Sequence, residues 1–504
     1  MVLANLLNRG PMIWIAPLIA GAMTPLAFAP FGFSLLIFPA LMVLFHHWLT
    51  LPPKQALRSG YLFGLGLFGV GCSWVFVSMY NYGGLGMAGS LLATAIFVAI
   101  LALYPAGASW LAVKLRDYCH RPWQQLLLLA SLWAGCEMFR GWFLTGFSWL
   151  NSGTSQLEMP LSGFAPLLGV YGVSWLVALS AGLLLFWVYQ RQQGWRFGVV
   201  FILLWLSAGL LQSIEWTEAQ GEPIQVSAMQ GNVGLDVKWL PEQRSENFNI
   251  YAGLTEAHWQ SDLVLWPETA MTAFLHQVDG QIDPFIATAQ DTETTLITGI
   301  PVYDQASDKY YNALVAFNEG QSALYYKRHL VPFGEYIPFE SVLGRLLEFM
   351  SIPMSSFTAG SDHQDTLRGA GLDIGASICY EIAFAEEMIQ SLPKANLLVN
   401  VSNDTWFDGS LAPYQHLQMA RMRALESERW IVRATNTGIS AIIDDNGDIR
   451  EVSPQNEVYV VSGEIQPRSG ATPYVMWGNW PIWVLIVSTL LWFGGRYYRG
   501  PRVV

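Results

Sequence analysis

Eight nearly unbroken apolar runs punctuate the chain, at residues 12–28, 33–49, 59–80, 89–113, 124–142, 163–189, 195–213 and 481–495. Each is close to the ~20 apolar residues that cross a bilayer as a helix, so the pattern predicts eight spanning helices. Basic residues collect on one set of connections. Arg9 precedes the first run, Lys54 and Arg58 border the third, and Lys114, Arg116 and Arg121 follow the fourth. Arg191 and Arg196 lie between the sixth and seventh runs, and Arg496, Arg499 and Arg502 follow the last. The alternate connections, around "APFGF" and "YNYGGLGMA", carry no charge. Lysine and arginine stay cytoplasmic, which predicts both termini inside and the long segment between the seventh and eighth runs outside. The expected organisation is residues 1–214 as seven helices, 215–470 as one extracytoplasmic domain, and 471–504 as linker, eighth helix and tail. "AFA" at 27–29 leaves open a cleavable signal sequence for the first run.

Inside 215–470 the period changes. Short β-type runs at 224–230, 263–268, 295–300, 312–318, 372–379, 396–402, 430–436 and 440–445 alternate with helix-like stretches at 242–260, 281–290, 381–391 and 412–428. Asn446-Gly447 between two such runs predicts a hairpin. Strands interleaved with helices imply layered α/β packing.

Charge sharpens this division. The whole chain is 52% hydrophobic and 13% charged, with a net charge of −12. Residues 215–480 hold 35 acidic and 14 basic side chains, and all other positions hold 3 and 12. An apolar body with a basic side therefore carries an acidic globular domain, and that acidity excludes a nucleic-acid partner, whose phosphates need a basic surface. The eight histidines are scattered without ligand spacing, so neither metal nor cofactor is expected.

Of four cysteines, Cys72 and Cys136 fall in apolar runs and Cys119 in a basic connection. Cys379 stands alone in the outer domain, where disulfides would otherwise be favoured. In "ASICYEIAF" it lies at a strand-to-helix junction, where a following helix N-terminus favours thiolate. "LVLWPETA" puts Glu268 at another strand end, and "YYKRHLVPFGEYIP" puts Lys327 at a third, with Glu335 eight residues on. A thiol, a carboxylate to take its proton and an ammonium for the oxyanion form a complete acyl-transfer set.

These three segments resemble the nitrilase (carbon–nitrogen hydrolase) superfamily, as does "RATNTGIS" before a hairpin. The resemblance implies a four-layer αββα sandwich, with Glu268 as proton acceptor, Lys327 stabilising the tetrahedral intermediate and Cys379 as nucleophile. "PFGEYIP", "CYE", "VSNDTWF", "QHLQMARMRALE" and "TGFSW" narrow it to the apolipoprotein N-acyltransferase family. That family's activity implies ping-pong transfer of an acyl chain from the sn-1 position of phosphatidylethanolamine, through a Cys379 thioester, to the amine of a diacylated apolipoprotein. It also implies a bacterial inner-membrane location and a periplasmic catalytic domain; a monomer is expected. A membrane-tethered amidase acting on a soluble amide is the alternative reading of the same triad.

By the same resemblance Glu335, Tyr380 and Glu381 support the triad, and Trp239 and Trp149 line substrate. Glu137 and Arg140, three apart in the fifth run, are charges in a span, which are costly and often functional. They are read either as a structural pair or as holding a lipid headgroup. Leu343, Leu346, Leu347 and Met350 recur at helical spacing in an unusually apolar stretch. Either they form a core helix, or they form an arm that dips into the outer leaflet and gates the site.

Overall fold

The structure is a computed structural model that describes residues 7, 8, 10–190, 192–318, 321–338 and 356–498. Leu343, Leu346, Leu347 and Met350 lie outside the described residues. Two compact units emerge: residues 1–76, 88–215 and 476–504, and residues 77–87 with 216–475.

The first unit is helical. Among the described residues two helices, Gly86–Arg116 and Pro160–Tyr189, are long and apolar enough to cross a membrane, and a third span is possible by length if Pro53–Gly71 and Trp74–Asn81, bent by 56°, count as one. Met12–Ala27, Ser34–Thr50 and Trp195–Leu211 are apolar but shorter. Pro122–Arg140 and Trp480–Tyr498 are helical at the two remaining predicted runs. Backbones approach closely through glycine. A Cβ at Gly21 would lie 2.8 Å from the Phe63 carbonyl carbon, and one at Gly66 2.6 Å from the Ala22 nitrogen. Small residues at a contact let helices pack without a hydrophobic drive, as lipid surroundings require. Buried indoles reach across to hydroxyls on other elements: the Trp48 indole donates to Ser109 at 2.6 Å and the Trp133 indole to Ser152 at 3.0 Å. Large apolar side chains such as Leu91, Leu92, Leu203, Leu206, Leu210 and Leu491 are exposed. An exposed apolar surface on that scale suits a lipid surround rather than water.

Among its described residues the second unit contains two six-stranded sheets. One has the order β13-β2-β3-β4-β5-β6, where β2 is Ile224–Gln230, β3 Leu263–Leu265, β4 Thr295–Asp304, β5 Lys309–Asn318, β6 Gln321–Tyr326 and β13 Tyr459–Ile465. The other runs β12-β11-β10-β9-β8-β7, with β7 at Leu367–Gly369, β8 at Leu372–Ile378, β9 at Leu397–Ser402, β10 at Ile431–Thr435, β11 at Ala441–Ile443 and β12 at Ile449–Val452. A short pair, β1 (Thr217–Ala219) with β14 (Arg468–Gly470), lies where the domain's chain enters and leaves. The central trios β2-β3-β4 and β8-β9-β10 are parallel.

Three cores define the layers. Val226, Leu265 and Ile297 of the first sheet pack with Ile374, Val399 and Val432 of the second, so the sheets stack face to face. Phe248, Tyr251, Ile282 and Phe285 of the helices Arg244–Glu256 and Asp279–Asp291 cover the outer face of the first sheet through Trp266 and Leu296. Leu417, Ala420 and Ala424 of the helix Ala412–Ser427 cover the second sheet through Leu398 and Ile431. The result is the helix–sheet–sheet–helix sandwich. The expected helix at 381–391 is instead the 3-10 turn Cys379–Ala383 followed by a short helix, Ala385–Met388.

Candidate active site

In parallel sheets, chemistry gathers at the carboxyl ends of the strands. Glu268 follows β3, Lys327 follows β6, Cys379 follows β8 and Asn403 follows β9. Glu268 Oε1 accepts from Asn312 Nδ2 at 2.7 Å and from Lys327 Nζ at 3.2 Å, and its Oε2 accepts the Asn403 N–H at 2.8 Å. Lys327 Nζ also donates to Glu335 Oε1 at 2.9 Å. Glu335 is held in turn by Asn312 Nδ2 at 3.0 Å and the Val331 N–H at 2.8 Å. Lys327 is 1% exposed. Burial works against its charge, but Glu268 and Glu335 outweigh it, and the ammonium titrates well above the ordinary lysine value.

Cys379 is partly buried, beside the inter-sheet core. Burial and then the Glu268 charge push its thiol up, with Lys327 offsetting only part. The expected helix-favoured thiolate is therefore not found, because Cys379 opens a single 3-10 turn, too short for a useful dipole. Such a thiol needs a base at the moment of attack, and Glu268 is the charge set beside it. Cys379 adopts φ +53°, with Thr269 at +48° and Phe333 at +63°. Left-handed backbone at non-glycine residues stores strain and clusters at functional sites; here it falls on Cys379 itself, on the residue after Glu268 and two residues before Glu335.

Glu381 ties two of those elements together. Its Oε1 accepts the N–H groups of Arg328 at 2.7 Å and His329 at 3.2 Å, and its Oε2 accepts the Ile378 N–H at 2.6 Å and the Tyr325 hydroxyl at 3.0 Å. One buried carboxylate thus bridges the segment after Lys327 to the residue before Cys379. The Tyr380 ring stands edge-on to His329 and Phe384 at 5.5 and 5.0 Å.

The remaining expected residues are less central. Trp239 is half-buried just after the helix Leu235–Lys238. In the helical unit Trp149 is buried in a cluster with Trp74 and Phe147. Glu137 and Arg140 are each 3% exposed. Glu137 accepts the Ser152 N–H at 2.9 Å, and Arg140 donates to the Trp149 carbonyl and to Asn151 Oδ1 at 2.8 Å. Both charges thus fasten the 149–152 loop.

Comparison with known proteins decides the family. The family model for the apolipoprotein N-acyltransferase N-terminal domain matches residues 20–183, and that for carbon–nitrogen hydrolases matches 225–474. An apolipoprotein N-acyltransferase of Methylococcus capsulatus is 45% identical over 467 residues, 92% of each chain. One from Pseudomonas syringae pv. tomato is 40% identical over 483 residues, 95% of each. The chain belongs to the apolipoprotein N-acyltransferase family. Among solved structures, a Xanthomonas campestris protein of the CN-hydrolase superfamily shares 19% identity at a TM-score of 0.37, covering 53% of this chain and 97% of that one.

Several residues of this apolipoprotein N-acyltransferase family member escaped the sequence reading. Lys238 is 1% exposed, donates from Nζ to the Glu268 carbonyl at 3.2 Å, and is lowered by burial to about 8, with Glu268 resisting. Asn312 bridges both glutamates. Asn436 of "RATNTGIS" donates to the Val233 carbonyl at 2.7 Å and to Asn403 Oδ1 at 3.1 Å, which seats the loop that holds Glu268. Tyr82, from the connection "YNYGGLGMA", meets Trp406 of "VSNDTWF" edge-on at 5.3 Å. Trp406 had a visible signal in its motif; Lys238 and Asn312 had none, since nothing local marks a polar residue as buried.

Proposed function

We propose that this protein is an N-acyltransferase that moves a fatty acyl chain from a phospholipid to the N-terminal amine of a diacylated apolipoprotein. Cys379 attacks the sn-1 ester of phosphatidylethanolamine while Glu268 takes the thiol proton. Lys327 stabilises the tetrahedral oxyanion, Glu268 returns the proton to the departing glycerol oxygen so that lysophospholipid leaves as an alcohol, and a Cys379 thioester remains. The α-amine of the diacylglyceryl-cysteine then attacks the thioester, Glu268 takes up its proton, and the amide product leaves as the thiol re-forms. Two bulky lipids thereby use one site in turn. Glu335 and Asn312 hold Lys327 and Glu268, Glu381 and Tyr380 support the turn that carries the nucleophile, and Trp239 lines the acyl or headgroup opening. No metal or cofactor takes part.

The observation that carries this reading is the joint hold of Lys327 and Asn312 on Glu268, beside a thiol that both charged groups of the triad perturb. In the proposed setting eight helices span the bacterial inner membrane, the sandwich stands in the periplasm and both termini are cytoplasmic. The exposed apolar side chains of the helical unit support the membrane part, and the basic connections support the orientation. The stretch around Leu343, Leu346 and Leu347 is proposed to reach the outer leaflet and gate access.

Incubating the purified protein with phosphatidylethanolamine tests the scheme. Mass spectrometry should find a fatty-acyl mass on Cys379 that a diacylated lipopeptide discharges within its turnover time and water does not. No adduct, or one that water removes as fast, refutes it; rapid loss to water favours the amidase alternative.

A further inference from the structure

Beneath the Cys379 turn lies a buried polar cluster that the scheme above leaves without a task. His416, on the helix Ala412–Ser427, is 3% exposed, and its Nε2 lies 3.0 Å from the Cys379 carbonyl oxygen. A carbonyl only accepts, so Nε2 carries the hydrogen. Nδ1 faces Arg433 Nη2 at 2.9 Å and Asp404 Oδ1 at 3.0 Å. A guanidinium only donates and a carboxylate only accepts, so these two neighbours ask opposite things of Nδ1, while Nε2–H remains the donor to Cys379 in either case. Burial first, and then Arg433, lower the His416 pKa against the pull of Asp404.

The cluster is anchored on several strands. Arg433, fully buried on β10, donates to Asp404 Oδ2 at 2.9 Å and to Asn400 of β9. Ser402 Oγ donates to Asp404 Oδ1 at 2.7 Å, and Asn400 Nδ2 donates to Ser377 Oγ of β8 at 3.0 Å. Gly438 packs so closely that an added Cβ would lie 2.8 Å from the Asp404 Cβ. All of this rigidity converges on one atom, the carbonyl oxygen of the candidate nucleophile.

That atom has a consequence for catalysis. Cys379 holds φ +53°, a conformation an L-residue leaves unless it is held. In a planar trans peptide the C=O and the following N–H point in opposite directions. Fixing the Cys379 carbonyl toward His416 therefore aims the Tyr380 N–H away from the helix Ala412–Ser427. Donors stabilise an oxyanion only when they are oriented before reaction.

We propose that His416 is a positioning residue of the acyl-transfer site, whose Nε2–H clamps the Cys379–Tyr380 peptide and so presents the thiol and the Tyr380 N–H together to the substrate carbonyl. The proposal rests on Cys379 being the nucleophile of the scheme above.

Full-length protein with phosphatidylethanolamine vesicles provides the test. His416→Ala should form the Cys379 thioester roughly 10- to 100-fold more slowly, with the half-saturating phospholipid concentration unchanged. Discharge by lipopeptide should slow by a similar factor, because both steps pass through an oxyanion. His416→Gln, whose amide nitrogen reaches the Nε2 position, should recover most of the rate, and His416→Asn, which is too short, should not. Alkylation of Cys379 by iodoacetamide, which forms no oxyanion, should stay within about threefold of the parent for any variant whose melting temperature matches it. Equal acylation rates in His416→Ala and parent would overturn the proposal. So would equal recovery by Gln and Asn, or acylation and alkylation falling in parallel. A parent protein that forms no thioester overturns the proposed function as well, whereas a parent thioester with an indifferent His416 overturns only this inference.

Discussion

Glu381 accepts from four donors and offers nothing that could donate, which makes it a sensitive test of the site's assembly. Glu381→Gln keeps the size but turns an NH2 toward N–H and O–H donors. An unsatisfied buried group costs about 1–3 kcal/mol, so the melting temperature should fall by several degrees and thioester formation should fall with it. Glu268 separates two roles that are easily confused. Because its charge is among the causes that raise the Cys379 thiol, Glu268→Gln should lower that pKa and increase the thiolate fraction at neutral pH. Iodoacetamide should then alkylate Cys379 faster at pH 7 in the variant, while acyl transfer is lost because no base collects the proton. In the parent, the alkylation rate should still be climbing above about pH 8.5, where an ordinary thiol begins to level off. Slower alkylation in Glu268→Gln would contradict this electrostatic account. At this scale the placement of Glu268, Lys327 and Cys379 at strand ends was readable, since each follows an apolar strand in a recognisable segment. Lys238 and His416 were not, because "DVKW" and "YQHLQ" look like solvated helix faces until the tertiary fold encloses them.

Among the elements, the triad depends on how closely β4 passes the loop after β3. Gly299 of β4 leaves no room for a side chain: a Cβ there would lie 2.6 Å from the Thr269 nitrogen and 2.7 Å from the Glu268 Cα. Those are backbone atoms, which cannot swing aside. Gly299→Ala should therefore displace Glu268 and lower thioester formation at least tenfold, with an overpacking cost of about 1–3 kcal/mol. Activity near that of the parent would show that the loop yields without moving the carboxylate. The central strands were legible because parallel strands buried on both faces read as continuous apolar runs. The strands β6, β7, β13 and β14 were not. β7 and β14 have three residues each, too few for a hydrophobic signature, whereas the wholly exposed β12 was readable only as the second arm of the Asn446-Gly447 hairpin. The expected helix after Cys379 failed for a related reason: Glu381 turns inward to bond four donors, and the acidic stretch that looked like a helix face is occupied in fixing a turn.

For the molecule as a whole, composition separated an apolar helical unit from an acidic α/β unit, and that separation is what makes a topology test clean. The proposed orientation puts Ser307, on an exposed turn between β4 and β5, outside the cell membrane, and Lys54 inside. With Cys379→Ser as background, a membrane-impermeant maleimide added to intact spheroplasts should label Ser307→Cys and spare Lys54→Cys until the membrane is permeabilised. The opposite pattern would leave the catalytic unit on the wrong side for any exported acceptor. The same two-part logic bears on the apolar stretch around Leu343, Leu346 and Leu347. Changing all three to serine should leave Cys379 acylation by a water-soluble acyl ester within about twofold of the parent, because leucine side chains offer no hydrogen bond to Glu268, Lys327 or Cys379. Turnover on vesicle-embedded phospholipid should fall at least tenfold, since a helix loses membrane affinity with the apolar area it can bury. Equal losses on both substrates would mean that these leucines belong to the domain's core, and that the membrane is sensed elsewhere in the chain.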